Sequence, residues 1–344
     1  MSRGRFFLFG GSVRHDRFTT VVQIERIGTT VSTLGECPVW SVDESALYWE
    51  DIEGRRMHRF DPSTGAIDRR DLPGRPGSFA PSQIAGVLTV AMETSLVHLD
   101  WASGSVETLL EIEDPSLGNR ANDGRCDPQG RFVVGTMWPE PDDHEYTGSL
   151  YRIDRDGSVE TLESDVGIPN GLVFDPERER MYWADTFRAT IWAWDYDAST
   201  GQRSNKRVFF DYRASGARGL PDGACLDAEG CYWSASVNGW ALTRITPDGD
   251  IDTVIDLPVA MPTMPAFGGN DLSTIFVTSI DGGEVDSARS QGVPAGSAGG
   301  RRWVPGRSRN PIRALATRRR RPRAQGSVGS HRRPASPRCR PGSG

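Results

Sequence analysis

The sequence predicts an all-β fold, a six-bladed β-propeller, and three observations carry that prediction. First, a phrase recurs: a polar residue, a short apolar run, an Asp-led turn, then the aromatics of a following strand. It stands at Glu36 (ECPVWSVDESALYWEDI), Asn122 (NDGRCDPQGRFVVGTM), Asn170 (NGLVFDPERERMYWADT) and Asp222 (DGACLDAEGCYW). Second, these four polar residues lie 86, 48 and 52 positions apart. Halving the long gap leaves units of roughly 40 to 50 residues, the length of a four-stranded blade. Third, no segment of helical period longer than about two turns interrupts the units.

Taken in order, residues 1–17 show no clear period and read as an extension. Residues 18–27 (FTTVVQIERI) are rich in β-branched side chains with partial alternation, a strand pattern. From Glu36 onward, short apolar runs are separated by tight turns at residues 61–65, 100–104, 127–130, 154–157, 195–201, 227–230 and 247–249. Asp caps such turns through its side chain and Gly supplies positive φ. A diverged unit sits near residues 82–108, inside the long gap, and a last one begins near Thr263. Together the units occupy residues 18–283 and leave no room for a second domain. An open ring would expose strand edges, so one blade must draw on both ends of the chain. Residues 18–27 are placed to supply its outer strand.

After Thr278-Ser279 the rhythm stops. Residues 284–344 are dominated by Gly, Ser, Pro and Arg, with RRRRPR at 318–323, a composition that cannot bury a core and predicts disorder. The change is abrupt and comes where closing strands are needed. An unstructured tail or a coding-frame disruption therefore explains it better than a nucleic-acid-binding arm.

The net charge of −6 conceals a division. From Arg301 onward there are 14 Arg and no acid, which leaves 26 basic against 46 acidic residues in the first 300. Lys206 is the only lysine. An acidic body is a poor candidate for nucleic-acid binding through a basic face. No run approaches the ~18 apolar residues of a membrane span, and the patch at residues 6–9 is shorter than a signal core, so the chain is expected to be cytoplasmic. The five Cys contain no C-x-x-C pair and are expected as reduced thiols.

Singly, the recurring polar residues are unremarkable. Asn170-Gly171 and Asp222-Gly223 are hairpin dipeptides, Asn122-Asp123-Gly124 reads as a turn, and Glu36 reads as a strand end. Their common register changes that reading. Inner strands of a propeller converge on an axial channel, so one polar residue at the same point of four units gathers four side chains around one site. Glu, Asn and Asp offer only oxygen, which suits Ca²⁺, Mg²⁺ or Mn²⁺; Zn²⁺ more often recruits His or Cys, and none of the five His falls in this register.

The segments GECPVW (35–40), RANDGRCDPQGRFVVGTM (120–137), PNGLVFD (169–175), YDASTGQRSNKRVF (196–209), PDGACLDAEGCYW (221–233) and FGG (267–269) resemble the gluconolactonase/regucalcin family of sugar lactonases, in order, over roughly residues 30 to 280. The resemblance implies a six-bladed propeller with one divalent metal, Ca²⁺ before Zn²⁺, Mn²⁺ or Mg²⁺, held by Glu36, Asn170 and Asp222. It further implies that Arg120 and Asn122 contact the substrate and that Asp222 acts as general base. Glu145 is carried over as a substrate contact, although in HEYTGSLY it lies one place off the family spacing. The implied activity is hydrolysis of a sugar lactone to an aldonic acid by a monomer or weak homo-oligomer with no nucleic-acid or membrane partner. A non-catalytic calcium-binding propeller and a related propeller esterase are the alternatives. The absence of a G-x-S-x-G elbow argues against a serine esterase.

Overall fold

The computed structural model describes residues 9–280, except 12, 17, 18, 23, 29, 31 and 141–144. The tail predicted for residues 284–344 lies outside them. Among the described residues the chain is almost wholly β, with one 3₁₀ turn, Pro115–Leu117, and one short helix, Tyr212–Ser215.

Five antiparallel sheets are each made of four consecutive strands. They begin with the strands Gly35–Ser41, Pro76–Pro81, Arg120–Cys126, Pro169–Asp175 and Leu220–Leu226. Each of these first strands packs beside the next. The last abuts Pro262–Gly268, which in turn packs against Gly35–Ser41. The result is a propeller whose first strands ring an axis. Burial falls outward: Ala46–Asp51 is buried throughout, whereas the fourth strand of the same sheet, Ala66–Asp71, is mostly exposed.

A further four-stranded sheet joins Pro262–Gly268 and Thr274–Ser279 to two short strands from the other end of the chain, Phe9–Gly11 and Glu25–Arg26. Phe9 faces Val277 and Arg26 faces Phe9 in the ladder. Two sequence expectations are refined here. Phe9–Gly11 lies within the supposed extension yet is hydrogen-bonded into the sheet. Of residues 18–27 only Glu25–Arg26 forms the outer strand, because Thr19–Val22 pairs with Val13–Asp16 in a separate hairpin. The second sheet likewise starts at Pro76, ahead of the expected position near residue 82. Proline is tolerated as a first strand residue, and Gly77 hides the alternation.

Local chemistry explains the turns. Asp61 Oδ1 accepts hydrogen bonds from Ser63 N at 2.8 Å and Ser63 Oγ at 2.6 Å, while Gly65 takes φ 72°. Some of these Asp residues also tie sheets together. Asp127 accepts from Gln129 N and Arg131 N within its own turn, and its other oxygen receives the Tyr196 hydroxyl of the fourth sheet at 2.7 Å. Arg131 reaches across to Ala198 O and Ser199 O.

The core is divided into apolar clusters between neighbouring sheets. Phe79, Leu88 and Tyr48 lie between the first and second sheets, and Tyr182, Tyr232 and Ile191 between the fourth and fifth. Leu47, Trp49 and Phe276 seal the last sheet against the first. Trp40 stacks on Phe276 there, with ring centroids 5.7 Å apart, and Thr263 Oγ1 donates to Gly35 O at 2.6 Å.

His58 stacks on Trp49 at 4.8 Å with both ring nitrogens buried and unpartnered. Burial, aided by the Arg56 and Arg69 charges, pushes its pKa down to about 4. The unfolded chain takes up a proton near 6.5 that the folded chain refuses until about pH 4, so His58 makes stability fall as pH drops through that window, by about 3 kcal/mol in all. His58→Phe should therefore show a smaller loss of urea midpoint between pH 7 and pH 4.5 than the parent chain. The comparison between the two proteins is the readout, since buried carboxyls with raised pKa act with the opposite sign.

Candidate functional site

The recurring polar residues lie inside strands, at bulges. In the first sheet Glu36 pairs with Glu50 and Val39 with Tyr48, so two residues face one between them. The same shift separates Ala121 from Gly124, Asn170 from Val173, Pro221 from Ala224 and Pro262 from Pro265. Bulges re-aim side chains, and here they turn polar groups into a strand end that would otherwise alternate. They also correct the expected common register. Glu36 and Asn170 are the last paired residues before their bulges, whereas Asn122 and Asp222 are the first bulged residues of theirs. Adjacent ranks nevertheless meet, because Asn122 Nδ2 donates to Asn170 Oδ1 at 3.1 Å.

Glycines let the ring close this tightly. A Cβ on Gly77 would lie 2.4 Å from the Ala121 carbonyl, so the second sheet has no room for a polar side chain at this level. Gly171 takes φ 61°, and a Cβ there would sit 2.1 Å from the Tyr232 hydroxyl, which itself donates to Gly171 O at 2.7 Å.

Glu36, Arg120, Asn122, Asn170 and Asp222 are all buried. Arg120 Nη1 donates to Asn122 Oδ1 at 2.8 Å and to Ala121 O at 2.9 Å. Asn122 Nδ2 also donates to Pro169 O at 2.9 Å, and Asn170 Nδ2 to Thr186 Oγ1 at 2.9 Å. Asp222 Oδ1 accepts from Gly223 N at 3.0 Å. Glu145 is exposed, on the segment leading into Gly148–Ile153, and is not part of this buried group.

The electrostatics are lopsided. Burial raises the Glu36 pKa well above the carboxylate range, and the charges of Asp222 and Asp123 raise it further. Asp222 is raised by burial and by Asp123. Sequence reading missed two further carboxyls. Asp123, taken as part of a turn, accepts from Leu172 N at 2.9 Å and is pushed up to about 6 by burial. Glu50 is fully buried, its pKa is raised well by burial and then by Asp123, and neither of its oxygens has a partner. The signal for it was a charged residue amid the fully buried run ALYWED. Asp123 Oδ1 and Arg120 Nε are also buried without partners. Four buried carboxyls thus share one end of the ring, with more acceptor oxygens than donors, an all-oxygen environment that fits a hard divalent cation.

A compact trio elsewhere, Asp227, Glu229 and Cys231, has ligand atoms within 4.8 Å of one another. Both of its carboxylates are already paired with one guanidinium, which Asp252 also shares. Arg244 contacts Asp227 at 2.8 Å and Glu229 at 2.5 Å, and Asp227 also accepts from Trp233 Nε1 at 2.9 Å.

Comparison with known proteins places the chain in a family. Residues 34–281 match the SMP-30/Gluconolactonase/LRE-like region. The chain is 42% identical over 250 residues to a 6-deoxy-6-sulfogluconolactonase of Pseudomonas putida, covering 72% of this chain and 84% of that one. It is 38% identical over 271 residues to the pentonolactonase XacC of Haloferax volcanii, covering 78% and 89%. Among solved structures it superposes on a calcium-binding protein, regucalcin, of Agrobacterium tumefaciens with a TM-score of 0.67 and 28% identity, over 73% of this chain and 92% of that one. The run of bulged inner strands bearing Glu36, Asn122, Asn170 and Asp222 falls wholly inside the matched region, and the chain belongs to the SMP-30/gluconolactonase/LRE-like family.

Proposed function

We propose that the chain is a metal-dependent hydrolase that opens sugar lactones to aldonic acids on a six-bladed propeller. One observation carries the reading: Glu36, Asn170 and Asp222, from three different sheets, bring only oxygen donors to a buried site whose carboxyls lack enough protein partners. The sixth blade is the sheet that unites both ends of the described chain. The names of the lactonase relatives support the substrate class, and the calcium-binding relative supports Ca²⁺ over Mg²⁺, Mn²⁺ or Zn²⁺.

In this proposal Glu36, Asn170 and Asp222 hold one divalent ion. When bound, such an ion polarises the lactone carbonyl and acidifies a coordinated water. The rest falls to the chain. Asp222 Oδ1 is committed to Gly223 N, which leaves Oδ2 to align the attacking water and take its proton. Arg120, buried and with Nε unpartnered, receives the oxygen on which negative charge grows. Asn122 holds the guanidinium in place, and Glu145 meets a substrate hydroxyl at the mouth. Water oxygen adds to the carbonyl carbon, the ring C–O bond breaks, the proton passes to the leaving alkoxide, and the acid is released.

The test is pH-stat titration of D-glucono-1,5-lactone and of pentonolactones before and after chelation. Acid release should fall at least about 100-fold with EDTA and return with Ca²⁺. Tight Ca²⁺ binding with no acid release above the spontaneous rate would refute the hydrolase and leave a cation-binding propeller.

A further inference from the structure

We propose that Thr186 is a positioning residue whose hydroxyl ends a one-way chain of hydrogen bonds and thereby fixes which end of the Asn170 amide faces the cation site. The proposal rests on the reading of Asn170 as a cation ligand. The chain runs Arg120, Asn122, Asn170, Thr186 and the carbonyl of Pro221, so it crosses three neighbouring sheets and ends on the residue before Asp222.

Its direction is forced at both ends. A guanidinium can only donate, so the atom of Asn122 that lies 2.8 Å from Arg120 Nη1 must be Oδ1. The Asn122 nitrogen then sends its two protons to Pro169 O at 2.9 Å and to Asn170 Oδ1 at 3.1 Å. A backbone carbonyl can only accept, so Thr186 Oγ1 gives its single proton to Pro221 O at 2.8 Å. That leaves Oγ1 as an acceptor, 2.9 Å from Asn170 Nδ2. Asn170 therefore has its oxygen on the side of Asn122 and its nitrogen on the side of Thr186. Reversing the amide would oppose two donors at one end and two acceptors at the other.

Thr186 is itself well held. It is buried, its N–H donates to Ile168 O at 3.0 Å, and its carbonyl accepts from Ala189 N at 3.0 Å. Threonine at this position thus supplies an acceptor for one ligand and a donor to the strand that carries another. Valine would match its shape and do neither; serine would do both. A group that orients a ligand in this way commonly alters metal affinity by tenfold or more.

The experiment is calorimetric titration of CaCl₂ alone into the full chain and its variants. Thr186→Val should weaken Ca²⁺ binding at least about tenfold, and Thr186→Ser should stay within about threefold of the parent. Asn170→Asp presents oxygen at both amide positions, so adding Thr186→Val to Asn170→Asp should cost no more than about threefold. This readout separates positioning from general damage to the fold. If Asn170→Ala abolishes binding while Thr186→Val binds like the parent, the role of Thr186 is overturned and the cation site stands. If Thr186→Val costs as much in the Asn170→Asp background as alone, the residue does not act through the amide and the proposal also fails. If Asn170→Ala itself binds Ca²⁺ like the parent, the cation-site reading falls and takes this inference with it.

Discussion

Asp222→Ala should release acid from D-glucono-1,5-lactone about 10³-fold more slowly than the parent chain, and should lose tight divalent-cation binding in the same step. Two roles meet in that carboxyl. Its charge is the strongest of those acting on Glu36, so a cation bound as proposed would relieve that repulsion. Its free Oδ2 is also the atom assigned to the attacking water. Asp222→Asn distinguishes the roles, because it keeps the shape and one oxygen. It should retain part of the cation affinity while losing turnover almost as fully as the alanine variant. Steady-state kinetics with added Ca²⁺, alongside calorimetry, measures both. Near-parental turnover in either variant would remove Asp222 from the chemistry.

Gly171→Ala should lower folding stability by about 3 kcal/mol, combining left-handed backbone strain with overpacking. The methyl would meet the Tyr232 hydroxyl at 2.1 Å and the Asp222 carbonyl at 3.1 Å, so it strikes the contact between the fourth and fifth sheets beside the site. Gly65→Ala is the control. Gly65 has φ 72° with nothing within 4 Å of an added Cβ, and should lose only the conformational part, about 1 kcal/mol. Urea midpoints of the two variants give the comparison. Equal losses would mean that the close approach at Gly171 does not constrain the ring.

That contrast shows where sequence reading stops. Asn170-Gly171 and Asp222-Gly223 have the composition of hairpin turns, and local composition alone cannot distinguish a turn glycine from one that lets two inner strands approach. The spacing of the aromatics did separate them, since the position of Tyr182 twelve residues after Asn170 and of Tyr232 ten after Asp222 marks the strand that follows each. Those unequal offsets were read as one common register, whereas the bulges set Asn170 and Asp222 one position apart in their strands. Phe9–Gly11 was missed because three residues carry no periodicity, and its pairing with Thr274–Ser279 depends on a partner at the far end of the described chain. Glu145 was placed by analogy of spacing and lies exposed.

The sequence by itself determined the all-β class, the repeat, and the oxygen-bearing residues at the inner edge of four of the units. Strand length, Asp-led turns and polar-before-apolar order are local properties written in contiguous residues. Tertiary structure alone decided that Asp123 and Glu50 join the same buried carboxyl group, that Asn122 meets Asn170, and that Thr186 stands behind them. Those relations join residues of different strands and sheets. They depend on how far each bulge rotates its strand and how closely the ring draws in, and neither quantity is encoded in any one segment.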